Sequence, residues 1–310
     1  MVENNSNILM DVRNLKKYFP KVTALFGRQK EVLKAVDGVS FQIRRGETFG
    51  LVGESGSGKS TVGRCLIKLY DYTEGQVLFD GADLTHLKDK ELKPYRRRIQ
   101  TIFQDPYSSL NPGMNVFDLI SEPMGIHGLA AKEEERKETV AALLEKVGLK
   151  REHLYRYPHE FSGGQRQRIS IARALSVRPE FVVCDEPISA LDVSVQAQVV
   201  NMLEDLQEEF GLTYLFIAHD LSMVRHISDR IGVMYGGRLV EIAPSDELYE
   251  NPLHPYTKTL LSSIPIPDPR AARDRMAAKG KESFRFTGHA EESVLREVSP
   301  GHFVADYEIG

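Results

Sequence analysis

The apolar residues follow two different spacings, and each spacing predicts a different kind of element. Over residues 8–12 and 39–43 every second residue is apolar, which predicts two antiparallel strands with one buried face each. Residues 16–20 between them, and the loop that continues to residue 27, are expected to be exposed. Another short strand is predicted at residues 76–79, closed by an Asp-Gly turn at residues 80–81.

Short apolar runs elsewhere predict the buried strands of a parallel sheet. These runs occupy residues 48–52, 99–103, 181–185 and 213–217. A helix predicted at residues 193–209 joins the last two strands, which is the connection that parallel neighbours require. The pattern therefore predicts an α/β core.

Between residues 106 and 178 the apolar spacing becomes helical. Helices are predicted at residues 115–123, 132–147 and 165–177, separated by glycine-containing loops. We interpret this stretch as a helical subdomain inserted into the α/β core.

Composition narrows the class of protein. The chain is 41% hydrophobic and 27% charged, as in ordinary soluble globular proteins, and its formal charge of -4 does not favour a nucleic-acid or anionic-membrane binder. The three arginines at residues 96–98 are expected to be a solvated face, and no apolar run approaches the ~18–20 residues of a membrane span. The polar start lacks the features of a secretory signal. Cys65 and Cys184 are expected to be buried thiols in a reducing compartment.

A glycine-rich motif lies between the strand at 48–52 and a helix predicted at 62–69. It fits the P-loop pattern, in which backbone N–H groups and the start of a helix surround phosphate oxygens. We expect Lys59 to reach the terminal phosphates and the Ser60 hydroxyl to bind magnesium. The expected nucleotide-binding residues of this motif are Gly53, Glu54, Ser55, Gly56, Ser57, Gly58, Lys59, Ser60 and Thr61.

Two acids follow the apolar strand at residues 181–185. A carboxylate at the carboxyl edge of a parallel sheet is well placed for phosphate chemistry, so Asp185 is expected to hold magnesium through water. Glu186 is expected to act as general base on an attacking water. An ordinary turn at the end of a strand would explain these two acids equally well.

A second phosphate-binding motif reads Phe161-Ser162-Gly163-Gly164-Gln165. Here the chain resembles the ATP-binding subunits of ABC transporters, whose signature is Leu-Ser-Gly-Gly-Gln and from which it departs only at Phe161. Ser162 and two glycines at the start of a helix can bind a second phosphate group. The resemblance implies a head-to-tail dimer, in which Ser162, Gly163, Gly164 and Gln165 contact the ATP held by the partner's P-loop.

The same resemblance assigns roles to further residues. Gln104 matches the glutamine that senses magnesium and the attacking water, residues 189–192 match a dimer-contact loop, and His219 matches the switch histidine that contacts the γ-phosphate. A histidine after a strand is otherwise more often structural. Phe19 matches the aromatic residue that stacks on adenine, with Tyr18 as the adjacent alternative and an exposed aromatic pair as the other reading.

The C-terminal part resembles one branch of this family. Residues 251–257 read Asn-Pro-Leu-His-Pro-Tyr-Thr and, with Pro265 beyond them, look like the tail of the oligopeptide/dipeptide importers, of which the F-type subunits match best. Many members hold an iron–sulfur cluster there, but this chain has no cysteine after Cys184, which excludes that cofactor. His302 is expected to be a solvated loop histidine, with a ligand or contact role as the alternative.

The resemblance implies a fold, a function and partners. The fold is an α/β P-loop NTPase of the ABC ATPase type, with a RecA-like parallel core, an antiparallel β-subdomain and a helical subdomain at about 106–178. Residues 8–250 form this domain and residues 251–310 a C-terminal extension, of which the last forty residues are expected to be partly flexible. The implied function is hydrolysis of ATP, with Mg²⁺, to drive oligopeptide import. The implied partners are a D-type sister ATPase, two membrane permease subunits and, indirectly, an extracytoplasmic peptide-binding protein.

The expected location is the cytoplasmic face of the cell membrane, as a peripheral protein. A soluble ABC ATPase of DNA repair or translation is disfavoured because the chain has one cassette and about a hundred residues between the P-loop and the signature. Import of dipeptides, nickel or glutathione by the same family stays open, because the ATPase does not contact the cargo.

Overall fold

A computed structural model describes residues 7–20, 32–130, 132–219, 221–263 and 294–306. The strands, in chain order, are β1 (Ile8–Pro20), β2 (Val32–Arg44), β3 (Thr48–Val52), β4 (Glu74–Phe79), β5 (Ala82–Asp83), β6 (Ile99–Ile102), β7 (Phe181–Asp185), β8 (Thr213–Ile217), β9 (Arg230–Tyr235), β10 (Arg238–Pro244), β11 (Leu295–Ser299) and β12 (His302–Ala305). The helices are α1 (Lys59–Leu66), α2 (Asp89–Arg98), α3 (Pro106–Ser109), α4 (Val116–Ile126), α5 (Glu133–Lys146), α6 (Gly163–Leu175), α7 (Val193–Phe210), α8 (Leu221–Ile227), α9 (Ser245–Glu250) and α10 (Pro255–Ser262).

The central sheet has eight strands in the order β11-β12-β10-β9-β3-β8-β7-β6. β6, β7, β8, β3 and β9 are parallel to one another, whereas β9, β10, β12 and β11 pair antiparallel in succession. β3, β7 and β8 have five residues each, and all of these residues are buried, which explains why the three strands are mostly apolar. The predicted parallel core is therefore confirmed, although β9 and β10 were not expected from the sequence.

The antiparallel sheet has the order β2-β1-β4-β5. Met10 pairs with Ile43 and Val12 with Phe41, so the alternating residues of both strands bury the same face, as predicted. β1 continues to Pro20 and pairs there with Val32, so residues 16–20 form a strand and the loop predicted for them is wrong. Several register shifts interrupt this pairing, which weakens the alternation that would have revealed it.

The short strand β4 ends at the predicted Asp-Gly turn. Asp80 and Gly81 have φ angles of 52° and 76°, so both residues adopt the left-handed region that a tight hairpin turn requires. Arg98 donates to the Asp80 carboxylate at 2.6 Å and thereby connects this turn to the end of α2.

The helices α3 to α6 form the predicted helical layer. Their buried side chains share one apolar cluster with one face of the central sheet, represented by Val182 and Phe216. The opposite face of the sheet, represented by Val183 and Leu215, packs against the antiparallel sheet in a second cluster. α4 extends past Pro123 to Ile126, three residues beyond the predicted end.

α1 begins and ends three residues earlier than the sequence predicts. Val62 and Leu66 are fully buried, but Leu69 is 56% exposed and lies beyond the end of the helix. Lys68 has a φ of 54°, which interrupts the helical path before Leu69. The predicted helix end at residue 69 is therefore wrong.

The C-terminal residues are partly integrated into the core. β12 pairs with β10, Glu241 opposite Val304, so residues 295–305 of the expected extension add two strands to the central sheet. The predicted loop at residues 21–27 and Pro265 of the tail motif lie outside the described residues. In the ranges that the structure describes, no helix combines the length and the apolarity needed to cross a membrane.

Candidate active site

The P-loop is shaped by two glycines for which no other residue fits. A Cβ on Gly53 would lie 2.2 Å from the Met234 carbonyl oxygen, and one on Gly58 would lie 2.2 Å from the Ala35 carbonyl oxygen. Both residues also have positive φ angles, 147° and 104°. The loop is thus clamped between β9 on one side and β2 on the other, with its glycines required by both backbone conformation and space.

The other loop residues differ in exposure. Glu54, Ser55 and Gly56 are exposed at the tip, whereas Ser57 is buried beneath it. The Ser57 N–H donates to the Glu54 carbonyl at 3.1 Å and closes the first turn of the loop. Thr61 is partly buried in the first turn of α1.

Lys59 points back into the loop. Its side chain is buried, and Nζ donates to the carbonyl oxygens of Gly53 at 2.7 Å and Glu54 at 2.9 Å. Burial lowers the pKa of the Lys59 ammonium, and the nearby carboxylates of Glu186 and Asp185 oppose that shift. Lys59 Nζ is therefore held at the start of the loop by two carbonyl oxygens, where it can offer a positive charge to an anion.

Ser60 and Asp185 meet at the carboxyl end of β7. The Ser60 hydroxyl donates to Asp185 Oδ1 at 2.7 Å, and the Asp185 side chain is buried. Burial raises the pKa of the Asp185 carboxyl, because the charged form loses its water and keeps little compensation. A hydroxyl and a carboxylate are hard oxygen donors, so this pair fits a magnesium ion, which would restore the balance of charge.

Glu186 is the meeting point of three loops. Its Oε2 accepts from Gln104 Nε2 at 2.7 Å and lies 3.4 Å from His219 Nδ1. Gln104 follows β6, Glu186 follows β7 and His219 follows β8, so the carboxyl ends of three adjacent parallel strands bring them together. Glu186 also has a φ of 50°, a conformation uncommon for residues other than glycine. Strained backbone of this kind is concentrated at functional sites.

The second phosphate-binding motif begins α6. Ser162 caps the helix: its Oγ accepts from the Gln165 N–H at 3.4 Å, and the Gln165 side chain accepts from the Ser162 N–H at 3.0 Å. Ser162 is exposed, and Gly163, Gly164 and Gln165 are partly buried. The helix start that could bind an anion is thus open to the outside of the chain.

Phe161 occupies the first position of the signature motif, where the family has leucine. Its side chain is buried and packs edge-on against the His153 ring at 5.3 Å, away from the exposed face of the motif. A Cβ on Gly164 would lie 2.7 Å from the Val195 side chain, so the second glycine permits close packing against α7. The substitution changes core packing and leaves the exposed residues of the motif unaltered.

The motif at residues 162–165 lies next to the loop that follows Glu186. A Cβ on Gly163 would lie 4.0 Å from Leu191, and Ser189 Oγ donates to the Glu186 carbonyl at 3.1 Å. In the part of the chain that is described, no hydrogen bond or ion pair joins residues 162–165 to the P-loop. The two phosphate-binding helix starts are therefore separate within one chain.

Phe19 and Tyr18 occupy opposite faces of β1. The Phe19 ring lies 5.6 Å from Tyr70, edge to face, with Lys17 Nζ 4.8 Å from its centre. The Tyr18 hydroxyl instead donates to Asp37, and burial together with that bond raises the pKa of Tyr18 to about 12. Tyr18 is thus occupied by an internal contact, which favours Phe19 of the two as an adenine contact.

Two contacts from the C-terminal part escaped the sequence analysis. The Glu54 N–H of the P-loop donates to the Tyr256 hydroxyl at 3.1 Å. His302 is fully buried with Nε2 2.8 Å from Glu241 Oε1, so the prediction of a solvated His302 is wrong and its alternative, a contact residue, is right. The tail motif marked Tyr256 as part of a family pattern, but nothing in the local sequence showed which residue it contacts.

Two family profiles match the chain over ranges that contain residues described above. The profile described as "ABC transporter" matches residues 36–189, and the profile described as "Oligopeptide/dipeptide transporter, C-terminal region" matches residues 240–286. The first range contains both phosphate-binding motifs and the Gln104–Glu186 contact. The second contains Glu241 and Tyr256.

Relatives match over nearly the whole chain. The oligopeptide transport ATP-binding protein OppF of Bacillus subtilis is 60% identical over 297 residues, 96% of this chain and 95% of the relative. OppF of Streptococcus mutans is 54% identical over 304 residues, covering 98% and 96%. The dipeptide transport ATP-binding protein DppF of Lactococcus lactis is 54% identical over 302 residues, covering 97% and 94%.

A solved structure has the same fold. It is a dimeric post-hydrolysis state of the ATP-binding cassette MJ0796 bound to ADP and Pi, 30% identical, with a TM-score of 0.68 over 76% of this chain and 99% of that one.

Proposed function

The chain belongs to the ABC transporter ATP-binding subunits of the oligopeptide/dipeptide transporter family, and from that membership we propose that it hydrolyses ATP to drive oligopeptide import. Its fold is the ABC ATPase cassette. The observation that carries the proposal is the convergence of Gln104 and His219 on the Glu186 carboxylate, beside the Ser60–Asp185 pair.

The P-loop binds the phosphates of ATP. Its exposed N–H groups and the start of α1 face the anion, and Lys59 adds a positive charge there. Ser60 and Asp185 would hold Mg²⁺, with Gln104 as a further contact. When bound, that ion neutralises part of the negative charge on the phosphate oxygens.

Glu186 is the general base. Its carboxylate accepts the proton of the attacking water, while Gln104 and His219 orient the carboxylate and the water from either side. The His219 side chain is 59% exposed, so it is free to contact the γ-phosphate when nucleotide is present.

The complete site is composite. The exposed helix start at Ser162 would contact ATP bound to the P-loop of a D-type sister ATPase, and the sister's equivalent motif would contact ATP bound here. The loop at residues 189–192, which touches both the signature and Glu186, would form part of the same dimer contact. The related MJ0796 cassette is dimeric, which supports this arrangement.

Two permease subunits dock on the ATPase pair at the cytoplasmic face of the membrane. The described surface has exposed aromatic side chains in and beside the helical layer, which suit a protein interface: Phe103, Tyr107, Tyr155 and Tyr157. An extracytoplasmic peptide-binding protein supplies cargo to the permeases and does not touch this chain. We propose no nucleic-acid partner, in keeping with the formal charge of -4.

We divide the chain at residue 250. Residues 8–250 form the ATPase domain, with a helical subdomain at about 106–178, and residues 251–310 form the extension. The family profile for the C-terminal region, residues 240–286, spans the proposed division.

Replacing Glu186 tests the catalytic assignment. Glu186→Gln keeps the shape and the contact distance to Gln104 but removes the base, so ATP turnover by the assembled transporter should fall by about 10²- to 10⁴-fold while ATP binding persists. Glu204→Gln is the matched control, because Glu204 also lies 3.5 Å from a histidine, His226, but on α7 and away from the P-loop. Turnover by Glu186→Gln equal to that of the control would remove Glu186 from this role.

Ser162→Asp tests the composite site. Aspartate caps a helix as well as serine does, so α6 should stay folded, but its negative charge would repel a triphosphate placed against it. We expect ATP binding to this chain's own P-loop to be unchanged in the isolated subunit, and turnover to fall when the chain is assembled with its partner. Unchanged turnover in the assembly would show that Ser162 does not face nucleotide.

Uptake measurements test the cargo. Deleting this subunit should abolish uptake of labelled oligopeptides. Dipeptide import is the second candidate, because a relative at 54% identity is named a dipeptide transport protein. Loss of dipeptide uptake with longer peptides unaffected would favour that candidate, and loss of nickel or glutathione uptake alone would exclude both.

A further inference from the structure

Tyr256 connects the C-terminal region to the P-loop. It lies in the first turn of α10, only 5% exposed, and its hydroxyl oxygen accepts the Glu54 N–H at 3.1 Å. Its ring lies 4.4 Å from that of Tyr235, at the end of β9 beside the P-loop strand β3. The position of the hydroxyl is therefore set by packing against the central sheet.

The peptide unit that Tyr256 holds is also the one that holds Lys59. This unit joins Gly53 to Glu54: its N–H, of Glu54, donates to Tyr256, and its carbonyl, of Gly53, accepts from Lys59 Nζ at 2.7 Å. The next carbonyl, of Glu54, accepts from the same Nζ at 2.9 Å. A shift of the first P-loop residues would thus move the acceptors that orient the lysine.

Tyr256 is itself anchored on a buried carboxylate. Its N–H donates to His254 Nδ1 at 3.1 Å, and the His254 N–H donates to Glu241 Oε2 at 3.0 Å. Glu241 is fully buried in β10, and its other oxygen lies 2.8 Å from His302 Nε2 in the C-terminal hairpin. The start of the P-loop is therefore connected, through three buried side chains, to the strands that complete the sheet.

We propose that Tyr256 is a positioning residue for ATP binding: by holding the Glu54 peptide it keeps the start of the P-loop, and through it Lys59, in the conformation that accepts the phosphates. It acts through the backbone and does not touch the nucleotide. The C-terminal region of this family thus contributes to the nucleotide site of its own chain. This role concerns ATP binding and is independent of the cargo and of the partner subunits.

Tyr256→Phe removes the acceptor and keeps the ring. One hydrogen bond lost at the loop should weaken ATP binding about three- to tenfold and raise KM for ATP by the same factor, with kcat of the assembled transporter at saturating ATP within about twofold of the original. The matched control is Tyr214→Phe, since the buried Tyr214 hydroxyl donates to the Leu203 carbonyl at 3.0 Å. ATP affinity of the control should equal that of the original chain.

Hydrogen exchange of the Glu54 amide gives a second readout that a general loss of stability would not mimic. In the nucleotide-free subunit, Tyr256→Phe should speed exchange at Glu54 and leave the amides of β8 protected, whereas Tyr214→Phe should leave Glu54 unchanged. Equal ATP affinity for the two variants, a fall in kcat without a change in KM, or unchanged exchange at Glu54 would each overturn the proposal.

Discussion

Removal of the Glu241 carboxylate should destabilise the whole C-terminal half of the molecule. Glu241 is fully buried and accepts three hydrogen bonds, from the N–H groups of Leu253 and His254 and from His302 Nε2, at 2.7, 3.0 and 2.8 Å. Glu241→Ala leaves all three donors without this acceptor. An unsatisfied buried donor costs about 1–3 kcal/mol.

The sum is reduced because Leu253 is only partly buried and can reach water. We therefore expect Glu241→Ala to lower the free energy of unfolding by about 3–5 kcal/mol, a large part of the 5–15 kcal/mol that is typical of folded domains. Glu241→Gln keeps one carbonyl acceptor and should cost about half as much.

Urea unfolding of the isolated subunit, followed by circular dichroism because the chain contains no tryptophan, measures these changes. The control is Glu297→Ala, in the exposed part of the hairpin, where the carboxylate accepts the Gly301 N–H at 2.9 Å. That change should cost about 1 kcal/mol or less. A Glu241→Ala variant no less stable than the control would refute the assignment of these bonds as the link between hairpin and core.

The remaining predictions concern packing and pH. Gly50→Ala should destabilise the fold by about 1–3 kcal/mol, because a Cβ on this residue of a buried strand would lie 2.6 Å from Ser228 Oγ. The control is Gly113→Ala, where the nearest neighbour of a Cβ is 3.5 Å away, and it should change stability by less than about 0.5 kcal/mol. Equal thermal midpoints for the two variants would contradict this prediction. Burial lowers the pKa of His254 to about 4 from 6.5. Below pH 6.5 the unfolded chain therefore binds a proton that the folded chain does not bind, and the free energy of unfolding should fall by about 3 kcal/mol between pH 6.5 and 4. His254→Asn, which can still accept the Tyr256 N–H as a helix cap, should lose this part of the pH dependence in urea titrations; parallel pH profiles would contradict the shift.

The family resemblance singled out Gln104 and His219, and a rule of topology explains why they meet Glu186. Gln104, Glu186 and His219 each follow an apolar run, and the ends of adjacent parallel strands share one edge of the sheet. The distances of 2.7 and 3.4 Å between them could not be predicted, since they depend on the backbone of Glu186, whose φ of 50° has no local sequence signal.

The wrong predictions lie where the local sequence pattern does not match the backbone structure. Leu69 continues a helical spacing, but Lys68 adopts a left-handed backbone that ends the helix. Residues 16–20 begin with two lysines and end with a proline, which does not indicate a strand, yet their backbone pairs with β2.

His302 could not be recognised as buried for a different reason. Its neighbours Ser299, Pro300 and Gly301 have the composition of a surface turn, and the turn is present. His302 is buried in contact with Glu241, sixty-one positions away in sequence. The residues next to His302 give no sequence signal of a contact at that distance. Tyr256 and Glu54, 202 positions apart, escaped for the same reason.

The hairpin of β11 and β12 also determines what the sheet presents to other molecules. β10 is rich in buried aliphatic residues, whereas most residues of β11, which forms the rim instead, are exposed and include Arg296 and Glu297. Charged side chains on an edge strand disfavour strand addition between molecules, whereas an exposed edge strand with aliphatic side chains favours it. Expression tags or deletions that displace the hairpin would therefore cause the subunit to self-associate, even with every ATP-binding residue intact.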